Sequence, residues 1–106
     1  MVAYLIADVN ITDPEGYQKY LALVGASLEQ FGATPVVVVG AHAGGKCETL
    51  EGDWHPNHLV VLKFDSLDQL KKWYASPEYT KANEIRQRVA KANFIALEPA
   101  ESLSDD

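Results

Sequence analysis

The chain has 106 residues, 47% of them hydrophobic and 23% charged, which leaves room for one folded domain and excludes disorder as its main state. Its net charge of −6 speaks against nucleic-acid binding and against docking on an anionic membrane, since both need clustered Lys and Arg. The single Cys47 allows no internal disulfide, no apolar run approaches the ~20 residues of a membrane span, and Asp8 interrupts the first apolar stretch. A soluble cytoplasmic protein is therefore expected.

Met1 to Val9 is short and apolar, bounded by Asn10, and reads as a first strand. Thr12-Asp13-Pro14-Glu15 then reads as a capping box, with Thr12 as the cap and Pro14 in the first turn. Tyr17, Tyr20, Leu21, Val24, Leu28 and Phe31 fall on one helical face, and Gly32 suits a helix end. Val36 to Val39 is β-branched throughout and predicts a second strand. Cys47 to Leu50 is expected to return as a short strand, and Gly52 to Asn57 as a loop. Leu59 to Leu62, with Phe64, reads as a third main strand. Ser66 to Gln69 forms another capping box, followed by Leu67, Leu70, Trp73 and Tyr74. Ser76-Pro77 closes that helix and opens another, bearing Tyr79, Ala82, Ile85, Arg86, Val89 and Ala90. Phe94 to Leu97 is the last strand. A single domain over residues 1–98 and a short acidic tail over 99–106 follow.

This repeated strand–helix–strand order suggests a ferredoxin-like α+β subunit, βαββαβ, with an antiparallel sheet. Val36 to Val39 and Leu59 to Leu62 do not alternate apolar with polar residues, so both faces of the sheet are expected to be dry. The helices cover one face. A second copy of the chain is the expected cover for the other, which makes a homodimer the expected assembly.

Four groups of residues carry possible chemistry. Gly40 to Cys47 approximates a phosphate-cradling loop, with Gly40, Gly45 and Lys46 in register, but the pattern requires a helix next. Gly52, Pro56 and a strand follow instead, so it reads as a strand connection. His42, Cys47, His55 and His58 lack a familiar metal spacing, and the expectation is no metal and no cofactor. Haem, with His42, His55 or His58 as axial ligand, is a weaker alternative. Glu51, Asp53 and His55 alternate. They point one way if extended, with Trp54 pointing the other, and suit either acid–base work or a wet strand edge. Arg86 shares a helix face with Ala82 and Val89. An inward guanidinium needs an anion: an internal carboxylate such as Glu51, or a ligand's carboxylate or developing oxyanion.

Glu51-Gly52-Asp53-Trp54, Leu59 to Phe64, Trp73-Tyr74-Ala75-Ser76-Pro77-Glu78-Tyr79 and Arg86, together with Asp13-Pro14, Tyr17 and Tyr20, resemble the domain-of-unknown-function 1330 family. The resemblance runs from about Ala3 to about Glu98. It implies a ferredoxin-like subunit pairing into a dimeric α+β barrel, and it places Glu51, Trp54, Tyr79 and Arg86 among recurrent positions. The wider superfamily includes cofactor-free monooxygenases, haem-degrading enzymes, an isomerase, polyketide cyclases and ligand-sensing domains, so the resemblance supplies a fold and no reaction. The Gly40 to Lys46 connection, with His42, is longer than the family's usual turn.

The functional expectation is a pocket between sheet and helices for a small aromatic or acidic molecule. Catalysis there would be cofactor-free, of the isomerase, cyclase or monooxygenase kind. In that reading Arg86 holds an anionic group and His42 or His58 moves a proton, while Tyr20, Glu51, Trp54 and Tyr79 contact the ligand. The alternatives are a non-catalytic ligand-binding module or a structural interaction protein.

Overall fold

A computed structural model describes residues 1–40 and 43–100. Seven elements follow in order: β1 (Ala3–Ile11), α1 (Pro14–Gln30), β2 (Thr34–Gly40), β3 (His58–Phe64), α2 (Leu67–Ala75), α3 (Pro77–Val89) and β4 (Ala90–Leu97). The strands make one antiparallel sheet in the order β2-β3-β1-β4. This is the ferredoxin-like βαββαβ plan, its second helix split at Ser76-Pro77.

The helix ends show the local causes. Asp13, not Thr12, caps α1: it is extended at φ −133°, and its carboxylate accepts from the Gly16 amide at 3.2 Å. Thr12 as cap would require a helical Asp13, and the residue before a proline is pushed out of the helical region. Gly32, at φ +70°, ends the helix as expected, with the Ala33 amide returning to the Leu28 carbonyl at 2.9 Å. Ser66 caps α2 by accepting from Gln69 at 3.0 Å. Ser76 caps α3 by accepting from Tyr79 at 3.1 Å.

Two expectations for strands change. Cys47 to Leu50 forms no strand; it stands off the sheet, with Leu50 almost fully exposed, and a strand without a ladder partner has no backbone hydrogen bonds to gain. In its place Thr49 Oγ1 bonds the Trp54 carbonyl and reaches His55 Nδ1 at 3.2 Å. The last strand begins at Ala90, four positions before Phe94, because Ala90 and Ala92 continue its inward alternation.

The sheet has two unlike faces. Inward, Ala3, Leu5, Ala7 and Val9 of β1 are buried with Leu62 and Phe64 beneath Trp73, Tyr79 and Ala82. Outward, the pairing register puts Ile6 beside Val61 and Ile95, and Val37 beside Val61. The middle of this outer face is apolar yet uncovered, with Ile95 55% and Val37 42% exposed, while Asp8, Asn10, Lys63, Lys91 and Asn93 occupy its flanks. The inner face is dry as expected; the outer face has an apolar middle that the described residues leave exposed. Among the described residues, no helix is long and apolar enough to cross a membrane.

Candidate functional site

The helices do not seal the inner face evenly. α2 lies over β1, β3 and β4, whereas α1 makes its main backbone contact with α3. The start of α1 is fixed there: the amides of Thr12 and Asp13 both bond the Val89 carbonyl, at 2.8 and 3.0 Å. Gly16 permits the approach, since a Cβ on it would lie 2.4 Å from Val89 Cγ1. Further along, α1 stands away from β2 and β3. The gap is a cavity of about 200 Å³. Its floor is Leu5, Ala7, Val9, His58, Val60 and Leu62; its roof is Tyr17, Tyr20, Val24 and Gly25; Trp73 and Phe94 close one end. Leu21, Pro35 and Val38 also line it and are exposed, so the mouth lies between α1 and β2.

The polar groups of this lining are few, and each has a fixed neighbour. His58 is buried on β3, paired across the sheet with Val9 and set edge-on to the Tyr17 ring at 5.9 Å. Gly40 secures that position: at φ +121° it lies so close to β3 that a Cβ would meet the Asn57 carbonyl oxygen at 2.3 Å. The Tyr20 hydroxyl lies 3.2 Å from the Tyr79 hydroxyl. The Trp73 indole N–H donates to Ser27 Oγ at 2.9 Å.

Arg86 stands behind Tyr79. Its Nε donates to Asn83 Oδ1 at 2.9 Å, its Nη1 reaches the Ala90 carbonyl at 3.5 Å, and its guanidinium lies 5.2 Å above the Phe94 ring. Burial pushes the Tyr17 hydroxyl up to about 12, with Tyr79 adding to the rise and Arg86 opposing it. Burial also raises Tyr20 far above its ordinary value, reinforced by Tyr79. Tyr79 is raised by burial, while its bond to Tyr20 and the charge and hydrogen bond of Arg86 pull the other way. All three are neutral hydroxyls at physiological pH.

The structure thus brings together Tyr20, Tyr79 and Arg86; of the three, Tyr20 lines the cavity, together with His58. Glu51 and Trp54 lie elsewhere. The Trp54 indole donates to Asp8 Oδ2 at 2.6 Å, and Asp8 points outward from β1, so Trp54 and Tyr20 occupy opposite sides of the sheet. Glu51 is exposed on the same outer loop, and the internal partners of Arg86 are Asn83, Ala90 and Tyr79 in place of Glu51. His42 lies outside the described residues. Asp53 and His55 do meet, at 3.4 Å, but both are well exposed. Among the described residues, no three His, Cys, Asp or Glu side chains gather to hold a metal. No helix follows Gly40 to Cys47 before β3, so this segment lacks the helix N-terminus that a phosphate-cradling loop needs. Ser27 and Gly25 were not among the sequence candidates. Ser27 was legible as a small polar residue on the apolar stripe of α1, and Gly25 as a glycine inside that helix.

The sheet order and split second helix place the molecule in the ferredoxin-like α+β class, and similar solved structures share that fold. One is a protein of unknown function from Rhodopseudomonas palustris, 20% identical, covering 94% of this chain and 83% of its own, with a TM-score of 0.74. A cofactor-independent oxygenase from Streptomyces nogalater is 10% identical, covering 96% and 95%, with a TM-score of 0.61. A candidate antibiotic biosynthesis monooxygenase from Deinococcus radiodurans is 16% identical, covering 95% and 94%, with a TM-score of 0.58. No curated protein matches the chain. The chain belongs to the domain-of-unknown-function 1330 family, whose model matches residues 2–100.

Proposed function

We propose that the cavity between α1 and the sheet binds a small neutral aromatic molecule carrying one acceptor oxygen. The observation that carries this reading is the composition of the lining: apolar walls with the Tyr20 hydroxyl and the His58 imidazole set among them. A guanidinium donates and never accepts. Either hydroxyl of the Tyr20–Tyr79 pair can be the donor; with ligand bound, Tyr79 would donate to Tyr20, which turns the Tyr20 proton toward the cavity. Each donor in such a chain strengthens the next. A ligand carbonyl or phenol oxygen would accept that proton. A carboxylate would find no Lys or Arg among the described lining residues, and burying an unpaired charge is costly, so the acidic ligand class is disfavoured. His58 would move a proton to or from the bound molecule, which suits cofactor-free proton transfer. The solved oxygenase of similar fold is described as cofactor-independent, in line with a site of this kind.

Acetophenone is a suitable first probe, with ethylbenzene as its partner lacking oxygen. Calorimetric titration should show saturable binding of acetophenone. Tyr20→Phe should weaken acetophenone about tenfold, the worth of one neutral hydrogen bond, and leave ethylbenzene unchanged. Equal weakening of both would mean that Tyr20 contributes packing alone, and no binding of either would remove the pocket reading.

We further propose that a second copy covers the outer face formed by Ile6, Val37, Val61 and Ile95. Contiguous exposed apolar surface of this kind marks association sites. Light scattering at micromolar concentration should give twice the chain mass for the native protein and one chain mass for Ile6→Asp. A native monomer would refute the pairing.

A further inference from the structure

Two glycines of α1 contrast sharply. Gly16 is sterically required, because a Cβ there would run into Val89 at 2.4 Å. Gly25 has no such requirement: a Cβ there would meet nothing within 4 Å, and its backbone is ordinary helix. Alanine is the better helix former at such an interior position, because glycine loses more backbone freedom. Gly25 is exposed and lines the cavity, so it stands at the cavity's open side. Gly25 lies four residues after Leu21 and three before Leu28, so the three share the edge of α1 that faces the mouth.

We infer that Gly25 is the size-determining residue of this site. It leaves a strip of bare helix backbone against which a flat ring can lie after entering between Leu21 of α1 and Pro35 and Val38 of β2. A cavity of about 200 Å³ exceeds the ~150 Å³ that accepts benzene, so the matching ligand is a single ring with a short substituent, its oxygen at Tyr20. This inference rests on the binding reading above and adds the ligand's size and the residue that sets it.

The test uses acetophenone as probe and the substitutions Gly25→Ala and Gly25→Leu. Gly25→Ala should raise the melting temperature by about 4 °C and weaken acetophenone about tenfold, because one added methyl narrows the slot. Gly25→Leu should fold, melt no lower than the native protein, and lose saturable binding. Native binding with unchanged affinity in Gly25→Leu would overturn the role of Gly25 and leave the pocket standing. Absence of binding to the native protein would overturn both. A lower melting temperature for Gly25→Ala, or a Gly25→Leu chain that does not fold, would show the position to be packed and would also overturn the inference.

Discussion

The inner face of the sheet has a solid half and a hollow half. Under α2 and α3, Phe64, Trp73 and Tyr79 fill the space, with the Trp73 and Tyr79 rings 4.1 Å apart and Phe64 5.4 Å from Trp73. Under α1, small and branched residues line the floor, and glycine stands in the roof. Both halves are apolar, so hydropathy does not separate them. Side-chain volume does: three large aromatic groups close one half, and Ala7, Gly25 and Pro35 leave the other open. The solid half carries stability, and the proposed ligand site lies in the hollow half.

The largest expected effect breaks the solid half. Trp73→Ala removes a fully buried indole and its hydrogen bond to Ser27 Oγ, at a cost of about 3–5 kcal/mol. Thermal melts should fall by more than ~10 °C. Leu21→Ala, at the exposed mouth of the hollow half, should cost under ~1 kcal/mol. Similar losses for the two would abolish the distinction. A smaller effect lies at the seam, where Tyr17, Tyr20 and Tyr79 meet. Burial raises the Tyr17 hydroxyl to about 12, and Tyr20 and Tyr79 are raised with it. As pH climbs past ~10, the unfolded chain releases these protons first. Stability should therefore be full below pH ~10 and decline as pH rises toward 12. Tyr20→Phe removes one of these groups and should flatten the decline. Urea titrations at pH 9, 10 and 11 measure it, and a pH-independent midpoint in the native protein would disprove it.

Much of this was legible in the sequence. Ser66 and Ser76 announce helix starts because a hydroxyl before an acidic or proline-bearing turn has a backbone amide to satisfy. Tyr20, Tyr79 and Arg86 are residues 59 and 7 positions apart that come to lie behind one another, and the helical stripes indicated their inward direction. The hollow was not legible, because it depends on how far α1 stands from β2, a tertiary distance that no local pattern encodes. The place of Trp54 was hidden for a related reason. Alternation along an extended segment shows which residues share a side, and it takes Asp8 on a distant strand to show which side of the sheet that is.

Ser76 joins the two helices of the solid half through one hydroxyl. Its Oγ donates to the Trp73 carbonyl at 2.6 Å and accepts from the Tyr79 amide at 3.1 Å. The last turn of α2 and the first turn of α3 therefore share a single clasp, and neither frays without releasing the other. Such shared ends make a cooperative unit. In amide-exchange terms, the protons on either side of Ser76 belong to one opening event.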